Sequence, residues 1–503
     1  TGNSNTAIGQ HALLLNTTGE QNVAVGHETL DANTTGSQNT AVGRSAMTAN
    51  TTGEKNTACG NRALKALTEG DFNTAVGRGA LEKNTTASNN TAVGYLCLEE
   101  NTTAAGNTAV GAFALDANTT GSNNTAVGLN ALGANTTGTV NAAFGRLALS
   151  ANTTGSSNTA FGQGALESNT TASNNTAMGL AALQANTTGT NNDSFGYRSL
   201  TNNTTGNGNA ACGHDALAAN TTGSDNVAMG FDALEANTTG GNNVAIGSLA
   251  LEANTTASYN TAVGFGALDA NTTANNNSAF GYFALGQNTT GTGNTAIGQS
   301  ALTANTTADN NTAVGKDCLV SNTTGSGNTS VGQRALQVNT TGTDNVCVGR
   351  EAGRDVSTGD NNIIIGKAAG LANSPSGNIT IHSNRICLGD NNITNAHIKV
   401  DWTVGSDQRD KTDIQDITTG LDFVKQLKPK SFWFTKERGS DEKHGDKKYG
   451  FLAQDILALE GSNPVIINNK DEDSLKYQGS HLIPILVNAI KELSAKVTAL
   501  EAK

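Results

Sequence analysis

The chain has 503 residues, of which only 4 % are aromatic and 14 % charged, and it contains 59 glycines beside four prolines. This bias is not typical of an ordinary globular domain and favours either a repetitive architecture or disorder. The formal net charge is −12, and residues 1–362 carry 12 Lys and Arg against 24 Asp and Glu, so binding to the phosphate backbone of a nucleic acid is not expected.

One motif, Asn-Thr-Ala-Val-Gly, sets the period of the chain. It recurs every 17 residues from Asn5 to Asn362, giving 22 copies without insertion or deletion, and the consensus unit is N-T-A-V-G-x-x-A-L-x-A-N-T-T-G-S-x. Such periodicity is typical of a solenoid, in which each unit contacts only its neighbours. We therefore expect a repeat shaft over residues 1–366. Because Thr1 already lies within a unit, we expect the chain to be a fragment or a processed form.

The repeat unit predicts β-structure. Seventeen residues cannot hold two helices and their turns, and Gly and Asn recur at fixed offsets where they favour turns. The Thr-Ala-Val segment predicts one short strand, whereas Gly-x-x-Ala-Leu-x-Ala fits either a second strand or one helical turn. Stacking aligns equal positions, so Val25 and Val42 share one column and Leu13 and Leu30 another, and we expect both columns to be buried. At about 4.8 Å per coil, the shaft would span roughly 100 Å.

A single coil of this composition is too thin to be stable alone. Burying its Val and Leu contributes about 1.5–3 kcal/mol each, whereas ordering one residue costs roughly 1–2 kcal/mol. Neighbouring coils and neighbouring chains are therefore expected to share the interior. The units resemble the head repeats of trimeric autotransporter adhesins, whose N-S-V-A-I-G-like units form a left-handed β-roll, and they are similar to the repeat arrays of phage tail fibres. The resemblance implies a trimeric β-roll.

Several side-chain patterns in the shaft allow a structural and a functional interpretation. The Asn-Thr-Thr triplets from Asn16 to Asn339 are formally glycosylation acceptors, but stacked Asn and Thr at a turn predict a hydrogen-bonded ladder. A Thr column that binds ice or sugar is the alternative. The seven histidines show no ligand spacing, so neither a metal nor a cofactor is expected. Six cysteines predict small buried apolar side chains of a reduced protein: Cys59, Cys97, Cys212, Cys318, Cys347 and Cys387.

Beyond Asn362 the period ends and the composition changes. Residues 367–405, with short β segments such as Ile398–Trp402, predict a cap and junction that cover the open end of the solenoid. Residues 406–503 have the composition of a small α+β domain. Within it, the charged stretch Lys436–Lys448 predicts a solvated loop.

The last segment, residues 480–503, predicts a helix with a coiled-coil seam. Its apolar residues follow a 3-4-3-4-3 spacing: Ile483, Leu486, Ile490, Leu493, Val497 and Leu500. A helix that packs within one subunit would look similar over this length, and the seam composition does not exclude a dimer. The expectation of a trimer therefore rests on resemblance.

The segment Ser406–Ile414 reads S-D-Q-R-D-K-T-D-I. It is similar to the S-D-x-R-x-K-x-x-I opening of the intramolecular chaperone family known from endosialidase tailspikes. Matching motifs follow in order: Leu427-Lys-Pro, Phe432-Trp-Phe, Tyr449-Gly-Phe-Leu-Ala-Gln454-Asp and Leu475-Lys-Tyr477. The resemblance covers residues 406–503. It implies a trimeric domain that templates the upstream fibre and then cleaves itself on the N-terminal side of the motif serine.

Carried onto this chain, the resemblance places the scissile bond between Gly405 and Ser406. Ser406 is then the nucleophile and Lys411 its base, because a hydroxyl needs a proton acceptor and lysine can serve when burial favours its neutral form. A Ser with a nearby Lys is weak evidence alone, so the expectation of a single-turnover serine autoprotease rests on the surrounding motifs. The supporting motif residues are Asp407 and Arg409, expected to hold the loop, and Gln454.

The leading functional hypothesis is a homotrimeric, phage-like tail fibre with a self-processing chaperone domain. It would be a virion component, assembled in the host cytoplasm, with a host-surface glycan or protein as its receptor. The alternatives are a bacterial surface adhesin, an ice- or glycan-binding solenoid that uses its Thr columns, and, more remotely, a glycan-degrading tailspike. No run of about 18 apolar residues exists, so membrane insertion is not expected.

Overall fold

The structure, a computed structural model, describes residues 2–394, 396–397, 399, 406–435, 439–469 and 475–502. It forms two compact units. The first comprises residues 1–363 with 380–384, and the second comprises residues 364–379 with 385–503. None of the described helices combines the length and apolarity needed to cross a membrane.

The first unit is a β-solenoid in which each coil contributes one three-residue strand. The strands are β1 (Thr6–Ile8), β2 (Val23–Val25), β3 (Thr40–Val42), β4 (Thr57–Cys59), β5 (Thr74–Val76), β6 (Thr91–Val93), β7 (Thr108–Val110), β8 (Thr125–Val127), β9 (Ala142–Phe144), β10 (Thr159–Phe161) and β11 (Thr176–Met178). They continue with β12 (Asp193–Phe195), β13 (Ala210–Cys212), β14 (Val227–Met229), β15 (Val244–Ile246), β16 (Thr261–Val263), β17 (Ser278–Phe280), β18 (Thr295–Ile297), β19 (Thr312–Val314), β20 (Thr329–Val331), β21 (Val346–Val348) and β22 (Ile363–Ile365).

Successive strands pair in parallel with a constant offset of one repeat. Ala7 aligns with Ala24, and Ala24 aligns with Ala41. Equal positions of the repeat therefore form columns along the shaft, and the predicted mainly β solenoid is confirmed. After β22 the offset grows, because the Ser357 N–H donates to the Thr380 carbonyl at 2.7 Å, 23 residues on. The solenoid therefore extends by one further, incomplete coil.

The middle residue of each strand points inward, and the first and third point outward. The inward column consists mainly of alanines, and Ala24 and Ala41 are fully buried. The expectation that the valine column is buried was wrong, since Val42 is 37 % exposed. For the same reason Cys59 and Cys212, which occupy this outward column, are exposed rather than buried. The other four cysteines are buried, as predicted.

The Gly-x-x-Ala-Leu-x-Ala segment forms neither a second strand nor a helix. It makes two successive tight turns, in which the Ala12 N–H donates to the Gly9 carbonyl and the Asn16 N–H donates to the Leu13 carbonyl, each at 3.3 Å. The leucine between the turns adopts a left-handed conformation, with φ of 54° at Leu13 and 51° at Leu30. This conformation costs roughly 1–2 kcal/mol for a residue with a Cβ. Complete burial of the side chain, as at Leu30, offsets a cost of that size.

Two columns of buried asparagines connect each coil to the next. In the Asn-Thr-Thr column, Asn33 Nδ2 donates to Asn16 Oδ1 at 2.8 Å and to the Gly36 carbonyl at 2.9 Å. In the column that precedes the strands, Asn22 Oδ1 accepts from the Asn39 N–H at 2.9 Å. The predicted ladder is confirmed. Because Asn33 and the equivalent triplet asparagines from Asn50 to Asn339 are fully buried, the folded shaft does not present them as glycosylation acceptors.

The threonines of the triplet divide into two columns. The first is half-buried, and its hydroxyl donates to the next coil, as Thr34 Oγ1 does to the Thr51 carbonyl at 3.0 Å. The second, for example Thr35, is exposed. Binding of ice or sugar by that exposed column stays a prediction.

The glycine that ends each strand is required by the close stacking of coils. Gly111 has a φ of 136°, and a Cβ built there would lie 2.5 Å from the carbonyl oxygen of Gly128 on the next coil. Any other residue at this position would force neighbouring backbones apart.

The second unit contains the small α+β domain. The unit also contains β23 (Ile386–Leu388), which belongs to the 23-stranded sheet. The elements of the α+β domain are α1 (Leu421–Val424), β24 (Lys430–Thr435), β25 (Lys443–Gly450), α2 (Ala453–Glu460), β26 (Ile467–Asn468), β27 (Lys476–Tyr477) and α3 (Leu482–Glu501), with short 3-10 turns at Gln408–Asp410 and Gly479–His481. Its core is built from Ile456, Ile466, Ile467, Leu482 and Ile485.

The predicted elements of the second unit are only partly recovered. The final helix is confirmed as α3. The solvated loop predicted for Lys436–Lys448 was wrong at its C-terminal end, because β25 begins at Lys443 and pairs antiparallel with β24. The β segment predicted for Ile398–Trp402 lies almost entirely outside the described residues.

We predict that Asn152→Ala destabilises the shaft locally by about 1–3 kcal/mol, because it leaves buried hydrogen-bonding groups unpaired. Asn152 Nδ2 donates to Asn135 Oδ1 and to the Gly155 carbonyl, and Asn152 Oδ1 accepts from Asn169 Nδ2, all at 2.9 Å. Native-state hydrogen exchange of the backbone amides in this coil measures the loss.

Thr154→Ala is the matched control, since it removes an exposed hydroxyl from the same coil. We expect it to change local stability by less than about 0.5 kcal/mol. Equal exchange rates in the two variants would contradict the structural role of the asparagine ladder.

Candidate functional site

A short turn brings the two predicted catalytic residues together. Asp407 caps the 3-10 turn Gln408–Asp410, and its Oδ1 accepts from the Arg409 N–H at 2.9 Å. The Lys411 N–H closes the turn on the Gln408 carbonyl at 3.2 Å. Because the chain reverses here, side chains five residues apart can meet.

The amine of Lys411 lies in hydrogen-bond contact with the hydroxyl of Ser406. Lys411 Nζ is 2.7 Å from Ser406 Oγ and 3.0 Å from the Ser406 carbonyl oxygen. A candidate base must lie within about 2.6–3.2 Å of the proton that it removes. The arrangement therefore has the distance that a Ser-Lys dyad requires. Gly405, on the other side of the predicted scissile bond, lies outside the described residues.

Asp407 and Arg409 form an ion pair across the same turn. Arg409 Nη2 lies 2.6 Å from Asp407 Oδ2, and Arg409 Nε lies 3.1 Å from Asp407 Oδ1. These side-chain bonds, with the bond from the Arg409 N–H, hold the pKa of the Asp407 carboxyl below its usual value. Both carboxylate oxygens are engaged by the arginine. The geometry suits a role in shaping the turn, as the sequence predicts.

Gln454 is not brought to the dyad by any described contact. It is exposed on α2, and among the described residues no hydrogen bond joins it to Ser406 or Lys411. The motif that carries Gln454 instead starts a helix whose buried residue, Ile456, belongs to the core.

Two residues of α3 hold the chain segment that follows the dyad, and the sequence did not reveal them. Asn488 Nδ2 donates to the carbonyls of Ile417 and Thr419 at 3.2 and 3.0 Å. Glu492 Oε2 accepts from the Leu421 N–H at 2.9 Å, at the start of α1. These pairs are about seventy residues apart in sequence, so no local pattern could indicate them.

The segment passes close to α3 at Gly420. A Cβ built on Gly420 would lie 1.9 Å from Glu492 Oε1. The loop that bears the dyad is thereby tied at its C-terminal end to the helix with the predicted seam. Ser406 and Lys411 themselves are exposed in the single chain.

Comparison with known proteins identifies part of this unit. Residues 406–461 match the family described as chaperone of endosialidase, and the match begins at Ser406. No curated protein and no solved structure matches the chain. The resemblance read from the motif is thus confirmed for the segment that contains the dyad. The chain carries a chaperone-of-endosialidase segment after a long β-solenoid shaft.

Proposed function

We propose that the chain is the subunit of a homotrimeric, phage-like tail fibre whose C-terminal domain guides assembly and then cleaves itself at Gly405–Ser406. The observation that carries the cleavage step is the 2.7 Å contact between Lys411 Nζ and Ser406 Oγ at the start of the family segment. The long solenoid supports the fibre.

The reaction follows from which atoms the turn brings together. Lys411 in its neutral form takes the proton of Ser406 Oγ, and Oγ attacks the carbonyl carbon of Gly405. The C–N bond to the Ser406 nitrogen breaks as the new C–O ester bond forms, and the nitrogen leaves with a proton as a free amine. Water then hydrolyses the ester, which frees the C-terminal carboxyl of Gly405 and regenerates the Ser406 hydroxyl. One chain performs the reaction once.

The outward column of the shaft supports trimerisation. The third strand position is apolar in all 22 coils, from Ile8 to Ile365, and Phe161, Met178 and Met229 are 41–47 % exposed there. Monomeric soluble proteins rarely expose apolar patches larger than a few hundred Å². We therefore expect an apolar column that continues over roughly 100 Å to be covered by another protein surface. If a second and a third copy associate in the same register, the apolar columns of the three chains would pack against one another.

The seam of α3 supports the same assembly. One face of the helix, with Leu482, Ile485 and Ala489, is buried in its own domain. The predicted seam lies on the surface, where its residues are 37–71 % exposed. These residues are Ile483, Leu486, Ile490, Leu493, Val497 and Leu500. Helices with this spacing are stabilised by association with equivalent helices.

Assembly before cleavage has a physical reason. Every coil resembles its neighbours, so three chains can pair in many wrong registers, and parallel stacks form slowly. A trimeric clamp at one end selects one register. A lysine acts as a base only after it loses its proton, and burial favours the neutral form. Neighbouring subunits that cover the exposed dyad would therefore activate the cleavage. Loss of the clamp then leaves the shaft kinetically trapped.

We predict that Ser406→Ala abolishes release of a 98-residue fragment, residues 406–503, because the nucleophile is lost. Lys411→Arg should have the same effect, since it keeps the charge and a donor to Ser406 but cannot act as a base. Denaturing gels with intact-mass measurement of the purified chain show the outcome.

Thr412→Ala, an exposed residue beside Lys411, serves as the control and should be cut like the unchanged chain. Uncut, correctly assembled trimers of the unchanged chain, or normal cleavage of Ser406→Ala, would remove the autoprotease from the proposal.

We predict that the double variant Phe161→Glu and Met178→Glu prevents the shaft from trimerising. Two carboxylates per chain would be buried against those of the other chains, which is strongly unfavourable for unpaired charges. Light scattering coupled to size-exclusion chromatography of the cleaved shaft gives the number of chains.

The matched control is Thr154→Glu with Thr171→Glu, which places the same charges at exposed positions of two adjacent coils. It should remain trimeric. A trimeric column variant would show that the column lies outside the subunit interface.

A further inference from the structure

A cluster of metal-binding side chains lies on the shaft, away from the dyad. It consists of His214, Asp215, Asp232, Glu235 and Glu252, on three consecutive coils. Positions 215 and 232 share one column of the repeat, and positions 235 and 252 share another. We call these five residues the shaft cluster. The sequence did not indicate a ligand motif here, because residues of different coils come together only when the coils stack.

The ligand atoms of the shaft cluster are close enough to share an ion. One nitrogen of His214 and one oxygen each of Asp215 and Asp232 lie within 4.8 Å of one another. One oxygen each of Asp232, Glu235 and Glu252 meets the same limit. Asp232 belongs to both sets and therefore connects them. Ligands of a divalent ion lie about 2–2.6 Å from its centre, so pairs of ligand atoms separated by up to nearly 5 Å can bind together.

Asp215 gives an independent indication that a ligand belongs here. It is only 8 % exposed, and its Oδ1 is buried without a hydrogen-bond partner among the described residues. Arg198 Nε lies 3.5 Å from that oxygen, and His214 Nδ1 lies 3.1 Å from the other. A buried carboxylate oxygen that lacks a hydrogen bond is costly. A cation bound by His214, Asp215 and Asp232 would remove that cost.

The part of the shaft around the shaft cluster carries many more acidic than basic residues. No lysine or arginine occurs between Arg198 and Lys316, so those 117 residues offer the carboxylates no cationic side chain. Like charges at equivalent positions of adjacent coils repel one another. Burial, together with neighbouring carboxylates, raises the pKa of Asp232, Glu235 and Glu252. A bound cation would relieve this repulsion.

The backbone holds the ligands in place before any ion binds. The Asp215 N–H donates to the Tyr197 carbonyl at 3.0 Å, and the Asp232 N–H donates to the His214 carbonyl at 3.1 Å. The Glu252 carbonyl accepts from the Ala236 N–H at 3.1 Å. Each ligand-bearing residue is thus bonded to the adjacent coil. Fixed positions reduce the entropy that an ion must overcome to order its site.

We propose that the shaft cluster binds a divalent cation that accepts carboxylate and imidazole ligands, with Mn²⁺ as a suitable probe. The ion would join three coils, and so would stabilise the folded shaft by mass action. The proposal depends neither on the dyad nor on the apolar column.

The test is a titration of the intact protein with Mn²⁺, followed by electron paramagnetic resonance of the free ion. We expect saturable binding of one ion per chain. Asp232→Asn, which removes the shared ligand, should weaken binding at least about tenfold, and Glu252→Gln should weaken it less. Circular dichroism of each variant verifies that the shaft is folded.

Asp225→Asn is the matched control, since it removes one exposed carboxylate from the neighbouring part of the shaft and should leave binding unchanged. The proposal is overturned if the unchanged protein shows no saturable binding below about 1 mM, the weak end of natural cation modules. It is also overturned if Asp225→Asn weakens binding as much as Asp232→Asn, which would indicate diffuse attraction to an acidic surface.

Discussion

Hydrogen bonding between consecutive coils is the constraint on which the shaft depends. The backbone of each short strand pairs with the next coil, and the buried amides of Asn22 and Asn33 bond to the equivalent amides or backbone one repeat away. A coil by itself leaves these groups unpaired in an apolar interior, which is unfavourable. An insertion of one residue would shift every column, and therefore the period stays at 17 residues for 22 copies.

This constraint also decides which side chains face outward. Two asparagine columns, an alanine column and the Ala-Leu pair fill the interior, so the third residue of each strand has no space inside. Its apolar side chain therefore lies on the surface of the single chain, as in Phe161 and Met178. The leucine column adopts positive φ, and the burial of its large side chains offsets the cost of that conformation.

The second unit depends on both local and non-local contacts. Its dyad is local, since a single capped turn places Lys411 against Ser406. Its support is non-local, since Asn488 and Glu492 on α3 hold the following segment. The helix with the exposed seam is therefore physically connected to the loop that bears the dyad. The shaft cluster, in contrast, joins residues of three coils and forms only because those coils stack.

The sequence alone determined the solenoid, its period and the asparagine ladder, because strict repetition along the chain reports stacking in space. The Ser406–Lys411 pair was indicated by resemblance to a known family, and the two residues are close enough in sequence to meet across one turn. Tertiary structure decided the outward direction of the valine column, the exposure of Cys59 and Cys212, and the β25 strand. It also decided how α3 holds the dyad loop and how the carboxylates gather. These features depend on which face of a three-residue strand meets a narrow core and on contacts between distant residues, neither of which a periodic pattern contains.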